Sequence, residues 1–249
     1  MEQAAGRALT AAEYNEHWSR LGDFIRYNPG ARHRRRRILG LVRNLPVRRV
    51  LDVGCGPGEL LITLSRERPD LELVGADLSD QVVEANGSAL PQCRFEVVDL
   101  FKGHLDEQFD LVLSSEVIEH LDDWRVGVAH LAAMVAPAGY LCLSVPTGRI
   151  FPTERTFGHV EHPTPAELQR VVADCGLRCL HLDNWGFPTY RALKALTNVR
   201  PQLAMRQFGS ASYGMPQKAA SSLLYAMCFA TRRNSARGCQ IFALFQADG

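Results

Sequence analysis

Three glycines at alternate positions, Gly54, Gly56 and Gly58, follow the apolar run Val50-Leu51-Asp52-Val53 and lead into a helical pattern. Glycine tolerates the dihedrals of a tight turn and lets backbone N–H groups approach a ligand closely. The spacing alone fits a dinucleotide, another nucleoside or a bare strand-to-helix turn. Three carboxylates narrow it: Asp52 precedes the first glycine, Asp77 ends the next apolar run, and Asp99 follows the third. A carboxylate placed like Asp77 can accept both hydroxyls of a ribose, and one placed like Asp99 can reach an adenine amino group. Local roles also exist, since Asp52 can brace the turn and Asp77-Leu78-Ser79 can cap a helix. One nucleoside cofactor explains the loop and all three carboxylates together.

A second group carries acid–base chemistry. In Ser115-Glu116-Val117-Ile118-Glu119-His120, a helix would place Glu116, Glu119 and His120 on one face of one turn. Two carboxylates and an imidazole so placed make a general-base cluster or a metal site. The bland alternative has Glu119 pairing locally and His120 packing under the sheet. His159 and His162 offer two more candidate bases. A third group is basic: Arg32, Arg34, Arg35, Arg36 and Arg37 follow Asn28-Pro29. It suits a nucleic acid, or a solvated helix, or a mixture in which one arginine points inward and the others are solvated.

Positioning these groups requires an alternation of strands and helices. Apolar or β-branched runs predict strands at about 48–53, 71–77, 94–98, 109–114, 140–145, 178–184 and 240–246. Helical patterns fall between them at 58–67, 79–89, 123–135 and 165–175, the last with Pro165 at its start and Gly176 at its end. This predicts an α/β fold, a Rossmann-like seven-stranded, mostly parallel sheet with helices on both faces. Residues 1–46 read as an N-terminal helical cap and 47–249 as the main domain. Within the latter, 185–238 form a helical lid insertion before the last strand, with helices near 190–197 and 218–231. Tyr14, His17, Trp18 and Tyr27 are spaced as an aromatic face, either packed on the domain or closing over the cofactor.

The bulk properties exclude some classes. The chain has 249 residues, with 46% hydrophobic and 22% charged, enough for a sizeable core. Its formal net charge of +1 makes nucleic acid an unlikely partner despite the basic run. The seven cysteines are scattered without zinc-ligand spacing, which fits reduced thiols. Residues 1–12 lack an apolar leader and no run is long enough to span a bilayer, so the cytoplasm is the expected compartment.

The ordered motifs Asp52-Val53-Gly54-Cys55-Gly56-Pro57-Gly58, Gly75-Ala76-Asp77-Leu78-Ser79, Val98-Asp99-Leu100 and Phe109-Asp110-Leu111-Val112 resemble those of class I S-adenosylmethionine-dependent methyltransferases. Nicotinamide dehydrogenases usually space the last glycines as Gly-x-x-Gly, which this loop lacks. The resemblance implies that Asp52, Gly54, Cys55 and Gly56 hold the methionine part of the cofactor. It places Asp77 on the ribose and Leu78 against the adenine, with Asp99 accepting from its amino group. Leu100 and Ser115 complete the implied contacts. Glu116-Val117-Ile118-Glu119-His120 resembles the Glu-x-x-Glu-His element of ubiquinone-biosynthesis O-methyltransferases and of small-RNA 2′-O-methyltransferases, where such residues bind a divalent metal. The implied metal set is Glu116, Glu119, His120 and His159, suited to Mg, Mn, Fe or Zn. In the ubiquinone type an arginine after Asn-Pro meets the cofactor carboxylate, here Arg34 or Arg35. The expected activity is methyl transfer to a small organic acceptor, a hydroxyl of an aromatic, quinone-like or secondary metabolite. RNA 2′-O-methylation, C- or N-methylation and non-catalytic cofactor binding are the alternatives.

Overall fold

The computed structural model describes residues 8–20, 22–203, 212–231 and 234–249, with the side chains of 17–20 and 22 left out. The helices are α1 (Ala11–Arg20), α2 (Gly22–Tyr27), α3 (Pro29–Val42), α4 (Glu59–Glu67), α5 (Asp80–Ala89), α6 (Trp124–Ala133), α7 (Pro152–Thr156), α8 (Pro165–Asp174), α9 (Thr189–Thr197) and α10 (Met215–Met227). The strands are β1 (Arg49–Val53), β2 (Glu72–Asp77), β3 (Arg94–Val97), β4 (Phe109–Ser115), β5 (Val135–Pro146), β6 (Leu177–Trp185) and β7 (Gln240–Ala247). They form one seven-stranded sheet in the order β3-β2-β1-β4-β5-β7-β6. β7 runs antiparallel to both neighbours, and the other pairings are parallel.

Both faces are covered because the central strands are apolar throughout. Phe109, Trp124, Leu131, Met134, Leu141 and Phe245 fill one face, under α6 and α8. Leu61, Leu111, Leu113, Trp185 and Phe242 fill the other, and α3 joins them through Ile38, Leu39 and Val42. After β1 the chain moves outward to β2 and β3, then returns to β4 on the other side of β1. That reversal opens a crevice at the C-terminal ends of β1 and β4.

Asn28 starts α3 by accepting the Ala31 N–H at 3.0 Å, with Pro29 at the first helical position. The basic run then divides among partners. Arg32 lies 4.1 Å over the Tyr225 ring, and Arg36 lies 5.2 Å over Phe229. Arg37 pairs with the buried Asp183, and Arg35 donates to the carbonyls of Ile25 and Arg26. Arg34 turns toward Glu116 at 3.4 Å and Arg35 toward Glu59 at 4.0 Å. The neighbours of Arg34 are not simply solvated, because flanking aromatic rings, a carboxylate and helix-end carbonyls sit within reach of one α3 face or another.

Two boundaries differ from the sequence pattern. β5 begins at Val135, because Val135 pairs with Phe109 ahead of a register shift. The second insertion helix starts earlier, at Met215, and gives way to a 3-10 turn over Cys228–Ala230. His17 and Trp18 lie in α1, but their side chains are outside the described residues.

Candidate active site

At the crevice the glycine loop makes its turn with left-handed dihedrals, φ +72° at Gly54, +49° at Gly56 and +73° at Gly58. A side chain at any of the three would strain the backbone. At Gly54 an added Cβ would also lie 2.2 Å from Val117 Cγ2. Asp77 secures the loop: Oδ2 accepts the Gly56 N–H and Oδ1 the Ser79 N–H, each at 2.9 Å. Each carboxylate oxygen accepts two hydrogen bonds, so Asp77 keeps acceptor capacity on both. Asn86 braces the loop from α5 by donating to the Gly56 carbonyl at 2.7 Å. Asp52 is buried, and burial followed by the Asp77 carboxylate pushes its carboxyl up to about 8.

A cavity of about 790 Å³ lies over this turn. Arg34, Asp52, Gly54, Cys55, Gly56, Asp77, Leu78, Asp99, Leu100 and Ser115 all line it. Asp99 already accepts the Phe101 N–H at 3.1 Å and pairs with Lys102 at 2.7 Å. Tyr14 from α1 borders the same space, and its phenol is raised by burial first and then by the Glu119 carboxylate.

The expected helical face of Glu116, Glu119 and His120 does not form. Val117 must fold down onto Gly54, and Glu116 takes up the bend with φ +61°. Only Ile118–His120 form a 3-10 turn. Glu116 is thereby directed elsewhere: Oε2 lies 3.4 Å from Arg34 Nη1 and Oε1 accepts from Gln240 at 2.6 Å. Glu119 is fully buried and neither of its oxygens finds a hydrogen-bond partner. Burial, then the Glu116 carboxylate, raises its carboxyl well above the usual range.

His120 instead meets His159. Their rings are 4.6 Å apart and edge-on, and Tyr14 approaches His120 from the other side at 6.0 Å. The Val160 N–H bonds the Glu119 carbonyl at 2.8 Å and holds the histidine segment against the turn. His159 Nδ1 lies 2.8 Å from His162 Nε2, whose Nδ1 faces the Gly148 carbonyl at 3.2 Å. Burial, followed by His120, lowers His159 well below the usual imidazole range, and burial lowers His162 to about 4. His120, His159 and Glu116 line the cavity, whereas Glu119 and His162 stand behind its wall.

The remaining wall comes from α7 and the insertion. Lys194 of α9 pairs with Glu154, both largely buried, and lies 6.0 Å over the Tyr190 ring. Tyr190 also favours the Arg34 cation electrostatically. Sequence reading did not single out Glu154, Lys194 or Gln240. A lone lysine in a helical insertion carries no local pattern, and only the crossing of α7 and α9 brings it to the cavity.

Comparison with known proteins agrees with this architecture. A family model described as "Methyltransferase domain" matches residues 24–182. The chain therefore belongs to the methyltransferase-domain family. Trans-aconitate 2-methyltransferase of Variovorax paradoxus is 32% identical over 118 residues, 47% of this chain and 46% of the relative. The chain thus spans about half the length of the curated relatives it matches. N-methyltransferase NodS of Bradyrhizobium japonicum, solved with S-adenosyl-L-homocysteine, superposes with a TM-score of 0.56 at 16% identity over 89% of each chain. The [4+2]-cyclase SpnF superposes with a TM-score of 0.58 at 15% identity over 88% of this chain and 81% of its own.

Proposed function

We propose that this chain methylates an oxygen of a small organic acceptor, with S-adenosylmethionine in the inner part of the cavity. The cavity residues fit that cofactor. Asp77 has acceptor capacity for ribose hydroxyls, Asp99 and Leu78 would meet the adenine, and Arg34 would offer a guanidinium to the methionine carboxylate. Asp52 would face the cationic end of the methionine. When bound, the cofactor supplies an electrophilic methyl group on a positively charged sulfur. The protein must hold the acceptor atom about 3 Å from it and exclude water. Residues 1–46 and 185–238 would serve as cap and lid.

The observation that carries the oxygen acceptor is the histidine series at the cavity edge. His120 would take the proton of an acceptor hydroxyl, with the His159 ring edge-on against it to hold its orientation. The donor set also fits a divalent cation. Glu119, His120 and His159 each present one ligand atom within 4.8 Å of the others, and Glu119 has two unpartnered oxygens. Those three residues would hold the ion, which would bind the acceptor oxygen and acidify its hydroxyl. Glu116, engaged with Arg34 and Gln240, falls outside that group.

An acidic acceptor is a second reading, favoured by Lys194 in the cavity wall and by the relatives named for trans-aconitate. A carboxylate acceptor needs no base, so the two readings separate experimentally. Methyl transfer is assayed with labelled cofactor against phenols, hydroquinones and polycarboxylates, using wild type and His120→Ala. Transfer to a hydroxyl that falls at least 100-fold in the variant supports the base. Equal turnover in both proteins removes it. The RNA reading gains little, since Arg32, Arg34, Arg35 and Arg37 are committed to contacts within the chain.

A further inference from the structure

Residues 185–238 contain eight Lys or Arg and no Asp or Glu, although the whole chain carries only a +1 formal charge. The same segment holds most of the exposed apolar surface. Seven of the ten large hydrophobic side chains exposed among the described residues lie in it: Leu196, Val199, Leu203, Met215, Leu223, Met227 and Phe229. Met215 is 80% exposed, Val199 72%, Leu196 70% and Leu223 67%.

The pattern on α10 is specific. Met215, Ala219, Leu223 and Met227 are spaced by four, so they form one row along the helix, and all are exposed. None is charged, and the only residue the helix fully buries is Ser221. An ordinary surface helix points its apolar row inward. Here Tyr190 and Leu193 of α9 pack beside Leu224 and Met227 of α10, so the two helices lie together. Arg36 of α3, itself exposed, stacks on Phe229 at the far end.

We infer that the α9–α10 face docks on an anionic phospholipid bilayer. The charge imbalance matches acidic headgroups, and the apolar row matches the boundary between headgroups and acyl chains. Among the described residues Lys194 and Lys218 pair with Glu154 and Asp23, whereas Arg191, Arg200 and Arg237 stay exposed, and a two-fold contact would bring those arginines of two copies together. A nucleic acid would engage the charges and leave the apolar row exposed. No helix among the described residues is long and apolar enough to cross a membrane, so the contact is peripheral. The same helices supply Tyr190, Leu193, Lys194 and Leu224 to the cavity wall, which sets that wall against the docked lipid. This inference stands apart from the acceptor assigned above.

Vesicle co-sedimentation of the full chain tests it. Phosphatidylglycerol–phosphatidylcholine vesicles should bind at low salt at least tenfold more tightly than phosphatidylcholine alone. Binding should weaken as salt shortens the screening length. Met215→Glu with Leu223→Glu should reduce it at least tenfold, and Arg200→Ala about fivefold. Thermal melting and cofactor binding should be unchanged, since these side chains are exposed and lie outside the cavity lining. Equal binding to both vesicle types overturns the inference, as does no binding at low salt or full binding by the double variant. Binding to RNA, or self-association, that the double variant abolishes while vesicles are ignored also overturns it.

Discussion

Replacing Glu119 with methionine should stabilise the protein while impairing its chemistry. The carboxyl is fully buried and neither oxygen has a hydrogen-bond partner. Leaving a buried polar group unpaired costs about 1–3 kcal/mol, and methionine fills a similar volume without that cost. For a chain of this size each kcal/mol moves Tm by about 2–4 °C, so Glu119→Met should melt about 2–12 °C higher in metal-free buffer. The pH dependence has a definite sign. A carboxyl raised in the folded state gives its relative stabilisation fully below the unfolded pKa and loses it as pH rises through the folded one. Wild-type stability should therefore decline as pH rises from about 4 toward neutrality and above, and the variant should decline less. Adding Mn²⁺ or Zn²⁺ should raise the melting temperature of wild type only, if the donor set holds an ion. Differential scanning fluorimetry across pH, with and without metal, reads all of this. A variant that melts several degrees lower in metal-free buffer would refute the reasoning, because Glu119 would then have a stabilising partner.

Other expectations follow from the same geometry. Asp52, raised to about 8, should ionise on meeting a cationic ligand, so cofactor Kd should fall as pH rises from 6 toward about 8. Asp52→Asn should flatten that slope in a titration series, and an unchanged slope would place Asp52 outside the contact. Gly54→Ala should abolish cofactor binding or folding, since φ +72° and a 2.2 Å approach to Val117 leave no room; circular dichroism and a binding titration distinguish the two, and near-normal binding would contradict the loop geometry. Lys194→Met should raise KM for an acidic acceptor at least tenfold with cofactor affinity unchanged. Unchanged KM for every acidic acceptor would confine Lys194 to its pairing with Glu154.

The glycine loop and its carboxylates were placed correctly from sequence because their positions are set locally. Asp52, Asp77 and Asp99 each sit at or just beyond a strand end, and parallel neighbours carry those ends to one edge of the sheet. All ten residues so assigned reach one cavity. The Glu116–His120 segment does not take the helical form that would have joined its three side chains, since helical spacing ignores Val117, which closes over Gly54. That long-range contact turns Glu116 toward Arg34 and leaves Glu119 behind the wall. Likewise the spacing of the arginines showed a helix face, but not that Tyr225, Phe229 and Asp183 would come to meet it from residues far along the chain. Lys194 and Glu154 had no signal at all, because their pairing depends on how the insertion folds back over the cavity.

The most direct test of the account is a calorimetric titration with S-adenosylmethionine, run on wild type and on Asp77→Ala. Asp77 holds the loop through Gly56 and Ser79 and would also hold the ribose. Losing two hydrogen bonds to a charged group costs about 3–6 kcal/mol, which is at least a 100-fold loss of affinity. The account predicts roughly micromolar binding by wild type and none measurable in the variant, with the variant's circular dichroism retained. Wild type that releases no heat and shows no thermal shift at saturating cofactor, even with metal and acceptor present, would contradict it.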